Sequence, residues 1–199
     1  MKTKPVRSLQ EPSKKKKLFL PLFLGGLMVL STFAIIFSGP SETSTTSYTY
    51  HDRSFRLTAQ GWESTLQGQN LILRNGPQEL TSYSTQFPFA TAASFLGLQK
   101  LYASTMPDEP SQEAIRDFYL NSNILPPITF ACVADVAGCE SLPLKTCADA
   151  TATVGVVLFR IGEPLSFSAD GTCATLMAPT PSELTQLTDA WLYTLYGVF

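Results

Sequence analysis

The sequence predicts an α+β domain, stapled by disulfides, behind an N-terminal transmembrane helix. Three observations predict it. Leu18 to Phe37 (LFLPLFLGGLMVLSTFAIIF) is twenty residues without a charge, all four cysteines lie beyond it, and strand-like blocks then alternate with two helices that have clear start signals. The remaining length suits one hydrophobic core and is too short for two. The expected domain is one small, mainly antiparallel sheet with two or three helices packed on it.

Residues 1–17 come first in chain order. They carry Lys2, Lys4, Arg7 and Lys14 to Lys17 against Glu11 alone, a net charge of +6. With Pro5, Pro12 and no apolar period, they read as a disordered tail. The stretch that follows covers about 30 Å as a helix, the thickness of the hydrocarbon core. Pro21 falls in its first turn, where a missing N–H is harmless. A cleaved signal peptide has an apolar region of only about 7–15 residues and a small-residue cleavage site; here Ser38-Gly39-Pro40 follows instead. Residues 18–38 therefore read as an uncleaved signal anchor. Lys14 to Lys17 abut the segment and the first charge after it is Glu42. Basic flanks stay in the cytoplasm, so the expected address is a single-pass cell-membrane protein with the C-terminal domain outside.

Residues 39–47 form a Ser/Thr-rich stalk, and 48–199 the outer domain. From Ser41 onward there are 7 basic and 15 acidic residues, a net charge of −8. Such a domain is a poor nucleic-acid binder, because phosphate neutralisation needs clustered Lys and Arg. Cys132, Cys139, Cys147 and Cys173 form an even set in an oxidising compartment and read as disulfides. Of the three possible pairings, the local one (Cys132 with Cys139, Cys147 with Cys173) pins each strand end to a neighbouring loop. Gaps of six, seven and twenty-five residues do not suit a zinc site, and no metal or cofactor is expected.

Within the domain, aromatic and β-branched runs punctuated by Gly61, Gly68 and Asn75-Gly76-Pro77 predict strands at 48–57, 62–66 and 70–74. Residues 77–97 allow a short helix, interrupted by Pro88. A strand is expected at 99–105. Pro110 opens a helix with Ile115, Phe118 and Tyr119 at helical spacing. Strands follow at 128–134, 154–160, 165–168 and 173–177. The last helix has the clearest warrant. Thr180-Pro181-Ser182-Glu183 is a capping box with Pro at the first helical position, and Leu184, Leu187, Trp191, Leu192 and Leu195 line one face.

The anchor 14–37, Gly76-Pro77-Gln78-Glu79-Leu80, Leu142-Pro143-Leu144-Lys145-Thr146-Cys147, the strand 154–159, Cys173 and the ending DAWLYTLYGVF resemble a family of small archaeal single-pass membrane-anchored proteins from reduced-genome lineages. The resemblance implies topology and cysteine placement. It implies no catalytic residues.

Chemistry-bearing motifs are sparse. There is no phosphate loop, HExxH or GxSxG. Asp108, Glu109, Glu113 and Asp117 read as a helix start and its solvated face. The alternative enzyme reading is a sortase-like thiol transpeptidase, with Cys147 as nucleophile and Arg160 thirteen residues later. Against it stand the position of the single histidine, His51, ninety-six residues before Cys147, and three further cysteines able to pair with it. The favoured expectation is an interaction or assembly module that meets the bilayer through its anchor and a membrane or envelope protein through its outer domain. Trp62, Phe87, Phe89 and Phe95 are candidate contacts, each also a candidate core residue.

Overall fold

A computed structural model describes residues 23–28 and 46–199. The chain divides into two compact units, Met1–Ser44 and Thr45–Phe199. In the first, residues 23–28 are helical. The remainder of the expected span from Leu18 to Phe37, the basic tail and most of the stalk lie outside the described residues. Among the described residues, no helix is long and apolar enough to cross a membrane.

The second unit opens with an antiparallel meander of four strands: β1 (Ser47–Tyr50), β2 (Arg53–Thr58), β3 (Gly61–Leu66) and β4 (Gln69–Leu73). The strand expected over 48–57 is in fact a hairpin. His51 and Asp52 both have positive φ, +46° and +63°, which is the backbone of a two-residue turn whose twist matches the flanking strands. Asp tolerates that region; histidine carries no turn signal strong enough to be read in advance. Phe55, Leu66, Leu71 and Leu73 point inward, while Arg56, Glu63 and Asn70 are bonded to one another on the outer face.

Two single-turn helices, α1 (Thr81–Ser84) and α2 (Phe89–Ala93), lead to β5 (Lys100–Thr105), α3 (Gln112–Asn121) and β6 (Ile128–Cys132). A 3-10 turn (Cys147–Asp149), β7 (Val154–Ile161), β8 (Ser166–Asp170), β9 (Cys173–Ala178) and α4 (Pro181–Leu195) complete the chain. The five later strands form a second sheet in the order β6-β5-β7-β9-β8.

The α+β class holds, but the single, mainly antiparallel sheet does not. There are two sheets, and in the second, β6, β5, β7 and β9 are mutually parallel, with β8 alone antiparallel. The reason is legible in β7. Val156 and Val157 are consecutive and both fully buried, because a parallel strand covered on two faces reads as a continuous apolar run rather than an alternation.

Helix α4 is buried almost all round, not along one stripe. Its residues from Leu184 to Leu195 all lie in the interior except Gln186. Trp191 stacks on Phe118 of α3 and meets Phe167 of β8, while Tyr193 meets Phe55 of the meander edge-on. Thus α4 lies between the two sheets. Three buried threonines are tolerated there because their hydroxyls return to carbonyls four residues back: Thr185 to Pro181, Thr188 to Leu184 and Thr194 to Ala190. The helix begins on Thr180, whose Oγ1 accepts from the Glu183 N–H at 3.2 Å; the reciprocal half of the expected capping box is replaced by the Thr180 hydroxyl donating to the Glu183 carboxylate at 2.7 Å. It ends on Gly197, whose φ of +67° permits the Gly197 N–H to reach the Thr194 carbonyl and the Val198 N–H the Tyr193 carbonyl. Arg53 of β2 then donates to the Tyr196 and Gly197 carbonyls at 3.2 and 3.0 Å. A cation at the negative end of the helix dipole ties the meander to α4.

Candidate functional site

Each sheet ends in open edges, and their chemistry differs. In the meander, the first residue pair beyond the β3–β4 turn, Leu66 with Gln69, closes the hairpin, so Asn70 and Ile72 face away from β3. Ile72 does not leave its N–H free: Asn121 Oδ1, at the end of α3, accepts it at 2.9 Å. The cleft beside this edge, about 600 Å³, is lined by Arg74, Arg116, Asp117, Gln60, Asn70 and Asn121 together with the apolar Ile72 and Leu120. Charged and amide side chains rim this edge, and the Ile72 N–H is served. Asp117, expected on a solvated face, is buried and takes a hydrogen bond from Arg74 Nε. That bond holds the Arg74 guanidinium above its ordinary pKa.

The outer edge of β6 is different. The Leu101 N–H donates to the Pro127 carbonyl and the Val133 N–H to the Thr105 carbonyl. Odd-numbered residues of β6 therefore face β5, and Ile128, Phe130 and Cys132 face outward. Only Cys132 has a partner there. Its N–H donates to the Pro143 carbonyl at 2.9 Å and its carbonyl accepts from Lys145 at 2.8 Å, an isolated parallel bridge to Leu144. Among the described residues nothing pairs with the outward N–H and C=O groups of Ile128 and Phe130.

Apolar side chains gather at this edge. Phe130 is 40% exposed and its ring lies 5.3 Å from that of Tyr119, itself exposed at the end of α3. Leu120 beside it is 54% exposed, and Leu142 and Leu144 are exposed on the strap that crosses the top of β6. A groove of about 470 Å³ continues below, with Tyr119, Leu120, Leu125, Pro126, Pro127 and Ile128 beside the polar but uncharged Ser122 and Asn123. No charged residue occurs anywhere from Phe118 to Ala134. Edge strands are usually blunted by a charge, a bulge or a cover; this one has a cover at one end only.

Both disulfides brace this region. Cys132 is joined to Cys139 with Cα atoms 5.9 Å apart, and Cys147 to Cys173 at 5.3 Å. The first holds the strap against the end of β6. The second ties the 3-10 turn to the start of β9. Thr146 and Asp149 cap that turn reciprocally, and the bond from the Thr146 N–H, with Lys145 close by, keeps the Asp149 carboxyl below its usual pKa. There is no free cysteine among the described residues.

The residues singled out from sequence do not assemble into a reactive centre. Cys147 has its sulfur in a disulfide. His51 lies at the β1–β2 turn with Nδ1 3.2 Å from the Val198 carbonyl. Arg160 Nε donates to Glu109, whose other oxygen accepts the Ile161 N–H. Glu109 is thus a brace at the end of β7, not part of a solvated helix face. Of the candidate contact aromatics, Phe87 and Phe95 are core residues, Trp62 is half-buried beside Tyr48, and Phe89 alone is well exposed. Sequence reading missed Tyr119, Leu120, Ile128 and Phe130, although the uncharged run around them was the available signal. No group of three or more His, Cys, Asp or Glu positioned to hold a metal occurs among the described residues.

Comparison with family models, with curated proteins and with solved structures finds no match.

Proposed function

We propose that this chain is a membrane-anchored, extracytoplasmic interaction or assembly module. It docks an uncharged extended segment along the outer edge of β6. The observation that carries the docking reading is the open edge at Ile128 and Phe130. Four outward backbone groups lie beside the exposed rings of Tyr119 and Phe130, in a stretch with no charge. An added strand would satisfy the backbone groups, and pockets for alternate side chains would select it. The absence of charge favours a partner strand that is itself neutral and apolar, since a buried unpaired charge is costly. The two disulfides support the outer address, because such bonds persist in oxidising compartments. The uncharged stretch from Leu18 to Phe37 and the lysines before it support the anchor and its direction. The resemblance to small archaeal anchored proteins agrees with that placement.

The test is a photo-crosslinking residue at position 130 of the full-length chain, irradiated in the membranes of the producing cell. A specific adduct is expected at 130 and not at position 65, on the polar outer face of β3. Equal labelling at both positions would overturn the docking reading. Protease added to sealed vesicles should digest the 46–199 region; protection would overturn the outer address.

A further inference from the structure

We infer that the segment received by the β6 edge is β6 of a second copy of this chain, paired antiparallel about a two-fold axis through Thr129. The inference rests on the docking reading above and names its partner.

The geometry selects the register. In an antiparallel pair, residues that exchange hydrogen bonds must both face the partner strand. On β6 those are Ile128 and Phe130, since Cys132 is occupied by the strap. Placing the axis at Thr129 sets Ile128 of each copy opposite Phe130 of the other. All outward N–H and C=O groups of those residues are then used. An axis at Ile128 leaves Phe130 facing Pro126, which has no N–H to give. An axis at Phe130 sets Ile128 against Cys132, whose groups are already bonded to Pro143 and Lys145. One register therefore satisfies the edge and the other two do not.

Side chains agree with this register. Ile128 and Phe130 are the register partners of Leu101 and Ala103, both core residues, so they lie on the helix-bearing face of the sheet. Pairing puts an aliphatic side chain beside an aromatic one twice over, with Tyr119 and Leu120 of each copy close behind. Aromatic–β-branched cross-strand pairs are favourable relative to Ala–Ala.

Charge argues for a second copy in particular. From Ser41 onward the chain carries 7 basic and 15 acidic residues, so two copies repel over most of their surfaces. The stretch 118–134 carries no charge, so two copies can meet along β6 without that cost. The strap at Leu144 also stops the ladder beyond Phe130. The contact is closed and isologous, so it makes a dimer and not a fibre.

The experiment is Thr129→Cys in the full-length chain under mild oxidant. Across the axis the two Cα atoms lie about 4.5 Å apart, a non-hydrogen-bonded pair and within disulfide reach. A disulfide-linked dimer is expected as the main product, and its loss on adding Phe130→Lys. Thr65→Cys on the meander should remain monomeric. Comparable dimer from T65C would mean random collision and would overturn the proposal. If T129C fails to fold, two differently tagged wild-type chains replace it; they should co-purify, and Phe130→Lys should abolish co-purification. Chains that neither crosslink nor co-purify overturn self-pairing. In that event, a photo-adduct at position 130 to another protein leaves the docking reading standing, and no adduct removes both.

Discussion

Asp189 accepts both the backbone N–H and the side-chain Nδ2 of Asn75 through a single carboxylate oxygen, at 3.0 and 2.8 Å. Its other oxygen, buried on α4, has no hydrogen-bond partner. Tyr193, one turn later, donates its hydroxyl to the Asn75 carbonyl at 3.0 Å. Two residues of α4 thus hold the chain where it leaves the meander.

Burial pushes the Asp189 carboxyl up from 3.8 to about 7, against the opposing pull of the two Asn75 bonds; Asp117 raises it further and Arg74 lowers it. A group whose folded pKa is raised is protonated in the native state over a range where the unfolded chain has lost the proton. Stability from this group is therefore highest below pH about 4, falls as pH rises to about 7, and is level above that. At 1.36 kcal/mol per unit the loss is on the order of 4 kcal/mol. Asp189→Asn, which retains an acceptor for Asn75, should flatten this slope. Urea unfolding midpoints at intervals from pH 4 to 8 measure it; an unchanged slope in D189N would assign the effect elsewhere.

Gly76 sits where backbone and rings approach closely. A Cβ there would stand 2.6 Å from the Tyr48 hydroxyl oxygen and 3.1 Å from the Trp62 ring. Gly76→Ala should destabilise by about 1–3 kcal/mol, the usual range for overpacking. Thermal unfolding measures the loss, and a wild-type melting temperature would show that Tyr48 yields freely.

The two disulfides close loops of different length, with sequence separations of 7 and 26. On the chain-entropy account the longer contributes about 3.5 kcal/mol and the shorter about 2.5 kcal/mol. Double substitution of Cys147 and Cys173 by Ala should therefore lower stability more than the same change at Cys132 and Cys139. Only the second pair should change hydrogen exchange at the strap, where Cys132 bonds Pro143 and Lys145. Denaturant titration and exchange by mass spectrometry separate the two effects.

Arg53 links β2 to the end of α4 through two carbonyls. Arg53→Ala should cost about 1–2 kcal/mol, from two charge-assisted bonds and the helix-end charge. Protease should then cut the final residues faster than in the wild type. Arg53→Lys should restore part of the loss, because it retains the charge but not the fork.

Sequence alone determined the local elements. Thr180, Pro181 and Glu183 mark the start of α4 because capping is chemistry between residues three apart. Gly61, Gly68 and Asn75-Gly76-Pro77 placed β3 and β4 for the same local reason. The sequence also showed that Phe118 to Ala134 carries no charge, without giving that run a meaning. Only the tertiary structure decided which strands lie side by side, since parallel order is set by long-range packing across the α3 crossover and the 133–153 connection. The burial of α4 on both sides was likewise hidden. Its threonines and Asp189 look solvent-facing in sequence, and their acceptability depends on carbonyls and on an Asn75 that lies 114 residues away. The open edge at Ile128 and Phe130 belongs to this class too. A strand becomes an edge only when no other strand takes the place beside it, and no property of its own residues specifies that.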